Sequence, residues 1–160
     1  MTEKEYTNLI RSRAQAEDTI GNEIIELIDE AVSLYPQSSA LWCLRGDLLQ
    51  RGEDDKKYDL SDALSSYTKA IEIDPNFAEA YESIGYYYDV IDDDPEKAVK
   101  AFERAVELGA GIDSYVGLAR VMAELKNDKK SIQAFLNNSP FREAQKVKTI
   151  WKEIASGMYD

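Results

Sequence analysis

The sequence predicts an all-α fold of stacked antiparallel helix pairs. Three observations point to it: apolar residues recur at three- and four-residue spacing almost throughout, period-two alternation is rare, and sets of small and aromatic residues return along the chain. With 160 residues, the chain is long enough to bury a sizeable core in one domain.

Proline, glycine and short polar stretches mark the breaks between the predicted helices. Asp94–Pro95 and Ser139–Pro140 each join a capping residue to a proline, which favours the first turn of a helix. We therefore expect helices to begin at Pro95 and Pro140, and about nine helices in all. The other breaks are expected at Tyr35–Pro36, Gly52, Asp74–Pro75, 109–111 and 127–128.

An internal repeat underlies this pattern. Small residues let two helices approach closely, aromatic residues fill the gaps between them, and each pair must stack on the next to bury its remaining apolar face. One helix of each pair carries Trp42, Gly46 and Leu49; then Tyr81, Gly85 and Tyr88; then Tyr115, Ala119 and Met122. The other helix carries Ala63, Tyr67 and Ala70; then Ala98, Phe102 and Ala105.

These positions resemble the tetratricopeptide repeat family, most clearly over residues 63–122. The resemblance implies a right-handed α-solenoid of about three repeats. Arg45 in place of an apolar residue, Ala110 in place of the closing proline and Asn138 in place of an alanine depart from the family pattern. A single domain, 1–160, is then divided into N-terminal helices with a degenerate repeat (1–38), repeats at 39–77, 78–111 and 112–138, and a capping helix at 139–160.

The last segment has an apolar face and a basic remainder. We expect it to cover the end of the array while its lysines meet an acidic body; the alternative is a docking helix for a partner. The apolar face contains Phe141, Ala144, Val147, Ile150, Trp151 and Ile154.

Composition excludes several functions. The formal net charge is -12, which disfavours nucleic acid and anionic membranes as partners. Histidine is absent and Cys43 is the single cysteine, so zinc sites built from His and Cys, Ser-His-Asp or Cys-His catalysis, and internal disulfides are excluded. We expect a cytoplasmic protein that is not an enzyme and has no cofactor and no metal site. Glu79 and Glu82 could form a carboxylate pair for acid chemistry, but such pairs are ordinary on acidic helices.

The family resemblance implies protein recognition in a concave groove lined by the first helix of each repeat. We interpret the chain as an adaptor or regulatory subunit that binds a basic or amphipathic protein segment. The alternative is a structural protein that self-associates through its terminal helices; a monomer is expected, and a homodimer is possible. Family offsets select Glu79, Glu82, Tyr86 and Asp89 as the centre of the groove, with Asp47, Arg51, Asp113 and Arg120 beside it.

The middle repeat holds two further features. Of three consecutive tyrosines, Tyr88 is expected in the core, Tyr86 in the groove, and Tyr87 toward a neighbouring helix or the rim. Asp92 and Asp93 with Asp94 look like a calcium loop but lack its alternating ligands, so Asp94 is predicted as a helix cap. The charges Glu53, Asp54 and Asp55 are predicted to be solvated in a loop.

Overall fold

The computed structural model describes residues 1–53 and 58–160, and in these ranges it contains nine α-helices and one isolated bridge between Ile20 and Gly52. The all-α fold class is confirmed. A π-helical segment, Tyr87–Ile91, continues the fifth helix. The helices are α1 (Glu3–Gln15), α2 (Asn22–Leu34), α3 (Ser39–Gln50), α4 (Leu60–Ile73), α5 (Ala78–Tyr86), α6 (Pro95–Glu107), α7 (Ile112–Glu124), α8 (Lys129–Asn137) and α9 (Gln145–Ala155).

The chain forms two compact units, Met1–Ala80 and Tyr81–Asp160. In the first unit, α3 packs against α2 and α4. A Cβ atom on Gly46 would lie 2.4 Å from Cε1 of Tyr67, so glycine is needed where α3 meets the fully buried ring of α4. This is the small-residue contact that the repeat predicts.

Phe102 plays the corresponding part in the second unit, where α6 packs against α7 and the π-helical segment. Its ring is fully buried with Ala98, Leu118 and Val121. A Cβ atom would lie 2.7 Å from Cδ1 of this ring if added to Gly85, and 2.5 Å from Cζ if added to Gly117. The close approach predicted at Gly85 is therefore present, and a second glycine meets the same ring.

The three tyrosines differ in burial. Tyr87 is 4% exposed, whereas Tyr86 and Tyr88 are half-buried, and both of these pack against the cluster around Phe102. The amide of Asp92 donates to the carbonyl of Tyr87, five residues earlier, at 3.2 Å. This wider turn changes the register after Tyr86, so the stripe predicted for a continuous α-helix does not extend regularly to Asp89.

Of the two helix starts predicted at proline, one is right and one is wrong. Pro95 begins α6, and the Asp94 carboxylate accepts from the Lys97 amide at 3.1 Å, which confirms Asp94 as a cap. Pro140 lies instead in a series of turns, and α9 begins only at Gln145. The Ser139 hydroxyl donates a hydrogen bond to the Leu136 carbonyl at 2.8 Å, and the Phe141 ring packs edge-on against Tyr115.

Helix α9 packs against α7 and α8. Val147, Ile150 and Ile154 of its apolar face are buried in a cluster with Ile132 and Leu136 of α8. These three side chains are therefore covered within the second unit, and the role of a capping helix stays a prediction. The repeat boundaries stay predictions, and the solvated charges predicted at Asp54 and Asp55 lie outside the described residues.

Substitution of Gly85 tests the glycine–aromatic contact. Gly85→Ala should lower the free energy of unfolding by about 1–3 kcal/mol, measured by urea denaturation, because the new Cβ collides with a ring that has no room to move. The matched control is Gly111→Ser: a Cβ there meets no atom within 4 Å, and serine suits the cap position that Gly111 occupies on α7. Equal stability of Gly85→Ala and the parent would contradict the contact.

Candidate functional site

The predicted site residues are divided between the two compact units. Asp47, Arg51 and Glu79 belong to Met1–Ala80, and the other five belong to Tyr81–Asp160. Each unit presents its own subset, and the subset in the second unit is the larger. Those five residues are Glu82, Tyr86, Asp89, Asp113 and Arg120.

The first-unit residues serve local structure. Asp47 accepts from the buried Tyr67 hydroxyl at 2.8 Å. The Arg51 guanidinium donates to two carbonyls at the end of α1, those of Ala14 at 2.9 Å and Glu17 at 2.6 Å. Arg51 therefore ties α3 to α1, while Glu79 is exposed at the start of α5.

In the second unit, α5 and α7 are joined by polar side chains from the predicted groove. The Tyr86 hydroxyl donates to the Asp113 carbonyl at 2.6 Å, and its ring meets Phe102 edge-on with a centroid separation of 4.9 Å. Burial, followed by the nearby Asp113 carboxylate, raises the pKa of Tyr86 to about 12, so the phenol stays protonated as a donor. The buried Ser114 hydroxyl donates to Glu82 at 2.5 Å.

Asp89 and Arg120 form an ion pair at the π-helical segment. The Asp89 side chain is only 5% exposed, and the Arg120 guanidinium also lies over the Tyr86 ring, 5.7 Å from its centroid. A carboxylate this buried needs its cation. The structure thus brings Asp89, Arg120 and Tyr86 together, with Asp89 facing Arg120 rather than solvent.

Lys146 of α9 was not among the predicted site residues. Its ammonium lies 2.8 Å from the carboxylate of Asp113, which is 49% exposed, and this hydrogen bond raises the pKa of Lys146. The available signal was the basic character of the last segment, which predicted in general terms that its lysines meet the acidic body. The partner of a particular lysine depends on how α9 packs.

A groove of about 310 Å³ runs between α7 and α9. Glu124, near Arg120 at the end of α7, has a raised pKa because burial and then the Asp89 carboxylate disfavour its charge. Carboxylates therefore crowd this part of the unit. The groove is lined by Val116 and Arg120 of α7, by Gln145, Lys146, Thr149, Ile150 and Glu153 of α9, and by Tyr159.

No group of three or more Asp, Glu or Cys side chains in the described ranges could hold a metal ion. No helix among the described residues is long and apolar enough to cross a membrane.

Part of the chain matches known tetratricopeptide repeats. Residues 66–100 match the model of the tetratricopeptide repeat family, and 106 aligned residues are 32% identical to Superkiller protein 3 of Schizosaccharomyces pombe. Both matches support the tetratricopeptide repeat family. The alignment covers 63% of this chain and 8% of that relative, so the chain spans only a small part of the relative's length.

The fold of the chain is also similar to that of PilW, described as a widely conserved type IV pilus biogenesis factor. The TM-score is 0.73, with 16% sequence identity over 98% of this chain and 73% of that chain. At this identity the likeness shows the fold alone. Tetratricopeptide repeats imply a protein-interaction module, and such repeats are typically non-enzymatic scaffolds.

Removal of Arg120 tests the buried ion pair. Arg120→Met should lower the free energy of unfolding by about 2–4 kcal/mol, because it leaves the Asp89 carboxylate buried without its cation. The double variant Asp89→Asn with Arg120→Met should recover part of this loss in urea denaturation, since no buried charge remains. Equal losses in the single and double variants would contradict the pairing.

Glu124 gives a pH-dependent prediction. The pKa of Glu124 is raised in the folded state, so its ionised carboxylate destabilises the fold at pH values above that pKa. This loss of stability disappears as the pH falls toward 4.5, the ordinary pKa of glutamate. Glu124→Gln should therefore raise Tm at pH 7, and the gain should vanish near pH 4. The exposed Glu103→Gln on α6 is the control and should leave Tm unchanged at both pH values. A lower Tm for Glu124→Gln at pH 7 would contradict the assignment.

Proposed function

We propose that the chain is a non-catalytic adaptor or regulatory subunit that binds a basic or amphipathic segment of another protein. The proposed surface lies in the second unit, around Glu82, Tyr86 and Asp113. The single observation that carries the proposal is the Lys146 ammonium on the Asp113 carboxylate at 2.8 Å, because it is a lysine already bound to this surface.

The exposure of this pair supports exchange with a partner. The side chains of Lys146 and Asp113 are 63% and 49% exposed, and solvent-exposed pairs contribute little to stability. A lysine or arginine from another protein can therefore replace Lys146 at small cost to the fold. Glu82, which contributes to the raised pKa of Lys146, adds a second carboxylate beside the same cation.

Tyr86 and Asp89 have supporting places in this proposal. Tyr86 fixes the Asp113 backbone through its hydroxyl, and Asp89 holds Arg120 against the Tyr86 ring. These contacts hold the exposed carboxylate of Asp113 at a defined position, which lowers the ordering cost of binding. The roles predicted for Asp47, Arg51 and Glu79 in binding, and the cytoplasmic location, stay predictions.

The experiment has two stages. Affinity capture with mass spectrometry identifies a partner, and isothermal titration calorimetry then compares variants at low and high salt. The double variant Glu82→Gln with Asp113→Asn should weaken binding about tenfold at low salt and less at high salt, because it removes two charges and keeps the hydrogen-bonding shapes.

The matched control is Glu103→Gln with Glu107→Gln on α6, where both side chains are exposed. It changes the net charge by the same amount and should leave the affinity unchanged. Equal weakening in both double variants would show a response to overall charge and contradict the proposed surface.

A further inference from the structure

The groove between α7 and α9 combines an apolar floor with a polar edge. Val116 and the buried Ile150 supply apolar surface, and the exposed Thr149 stands at the edge. A volume of about 310 Å³ is at the lower end of the range of roughly 300–1,000 Å³ for ligand pockets. The groove therefore admits one large apolar side chain rather than a whole helix.

The cations at the groove do not make it an anion site. Arg120 is paired with the buried Asp89, and Lys146 is paired with Asp113. Both positive charges are thus already balanced by carboxylates of the same unit. A carboxylate or phosphate ligand would have to break one of these pairs.

The charge around the groove is negative. Besides the paired Asp89 and Asp113, Glu153 lines the groove and accepts a hydrogen bond from the Tyr159 hydroxyl at 3.1 Å. Glu124 interacts electrostatically with Arg120 and Tyr159, and Glu82 interacts electrostatically with Lys146. Lys126 donates to the Tyr159 carbonyl at 2.7 Å, so five carboxylates outnumber three cations in this set. Such a field favours a cationic segment over a neutral or anionic one.

We propose that the groove between α7 and α9 is the anchor site for a partner segment in which one large apolar side chain is flanked by lysine or arginine. The inference rests on the proposed function and specifies its partner. The apolar side chain enters between Val116 and Ile150, and the flanking cations meet the carboxylates at the groove edge. Lys146 of the chain itself occupies one of these cation positions in the absence of a partner segment.

The test uses fluorescein-labelled synthetic peptides and fluorescence anisotropy with the full chain. Gly-Lys-Lys-Leu-Lys-Lys-Gly should bind about tenfold more tightly than the same peptide with serine in place of leucine, because the leucine side chain is buried. Gly-Glu-Glu-Leu-Glu-Glu-Gly should not bind. Tighter binding of the glutamate peptide, or no binding of the lysine–leucine peptide at millimolar concentration, would overturn the inference.

Two pairs of variants locate the binding. Thr149→Trp fills the groove edge and should weaken binding of the lysine–leucine peptide about tenfold. Ala155→Trp changes an exposed residue of α9 outside the groove lining and should leave the affinity unchanged. Glu153→Gln should weaken it about threefold at low salt only, and the exposed Glu143→Gln should have no effect. Loss of binding in both members of either pair would overturn the assignment to the groove.

The captured partner separates this inference from the proposed function. If Glu82→Gln with Asp113→Asn weakens binding of the partner and Thr149→Trp does not, the proposed acidic surface is supported and the proposed anchor groove is wrong. If only Thr149→Trp weakens binding of the partner, the groove is supported and the charge-based surface is wrong. Self-association of the parent chain that Thr149→Trp abolishes, seen by sedimentation velocity together with absent peptide binding, would assign the groove to a second copy instead.

Discussion

The structure of each unit depends on a glycine that lets a helix backbone lie against an aromatic ring. In the first unit the ring is Tyr67 and the glycine is Gly46; in the second, Phe102 is met by Gly85 and Gly117. A side chain at these glycines would force the helices apart, because a packed core has no free volume to accept it. The position of α7 follows from this contact, and with it the position of Asp113 and Arg120.

This constraint explains why the helices and the repeat could be predicted from sequence. A glycine on one helix and an aromatic residue on the next, Gly46 with Tyr67 and Gly85 with Phe102, recur because the packing contact admits few other residues. Asp94 before Pro95 was equally informative, since a cap acts within one turn of the helix. The start predicted at Pro140 failed because a tertiary contact, Phe141 against Tyr115, competes with the local preference of the proline.

The candidate site was less predictable because its residues respond to packing. The offsets to Asp89 assumed a continuous α-helix, and the π-helical segment turns that carboxylate toward Arg120. No local pattern indicated the wider turn. Likewise, the charge of the last segment indicated contact with an acidic body. The pairing of Lys146 with Asp113, however, depends on how α9 packs through Val147, Ile150 and Ile154.

Buried contacts fix α7 and α9, and we propose that carboxylates of these helices bind the cations of a partner segment at the position of Lys146. Hydrogen–deuterium exchange of the full chain, with and without the captured partner, tests this most directly. We expect slower exchange in residues 81–86, 112–124 and 145–155, with a smaller effect at high salt, where the apolar contact persists. Slower exchange in α6 or α8 with α7 and α9 unchanged would contradict it.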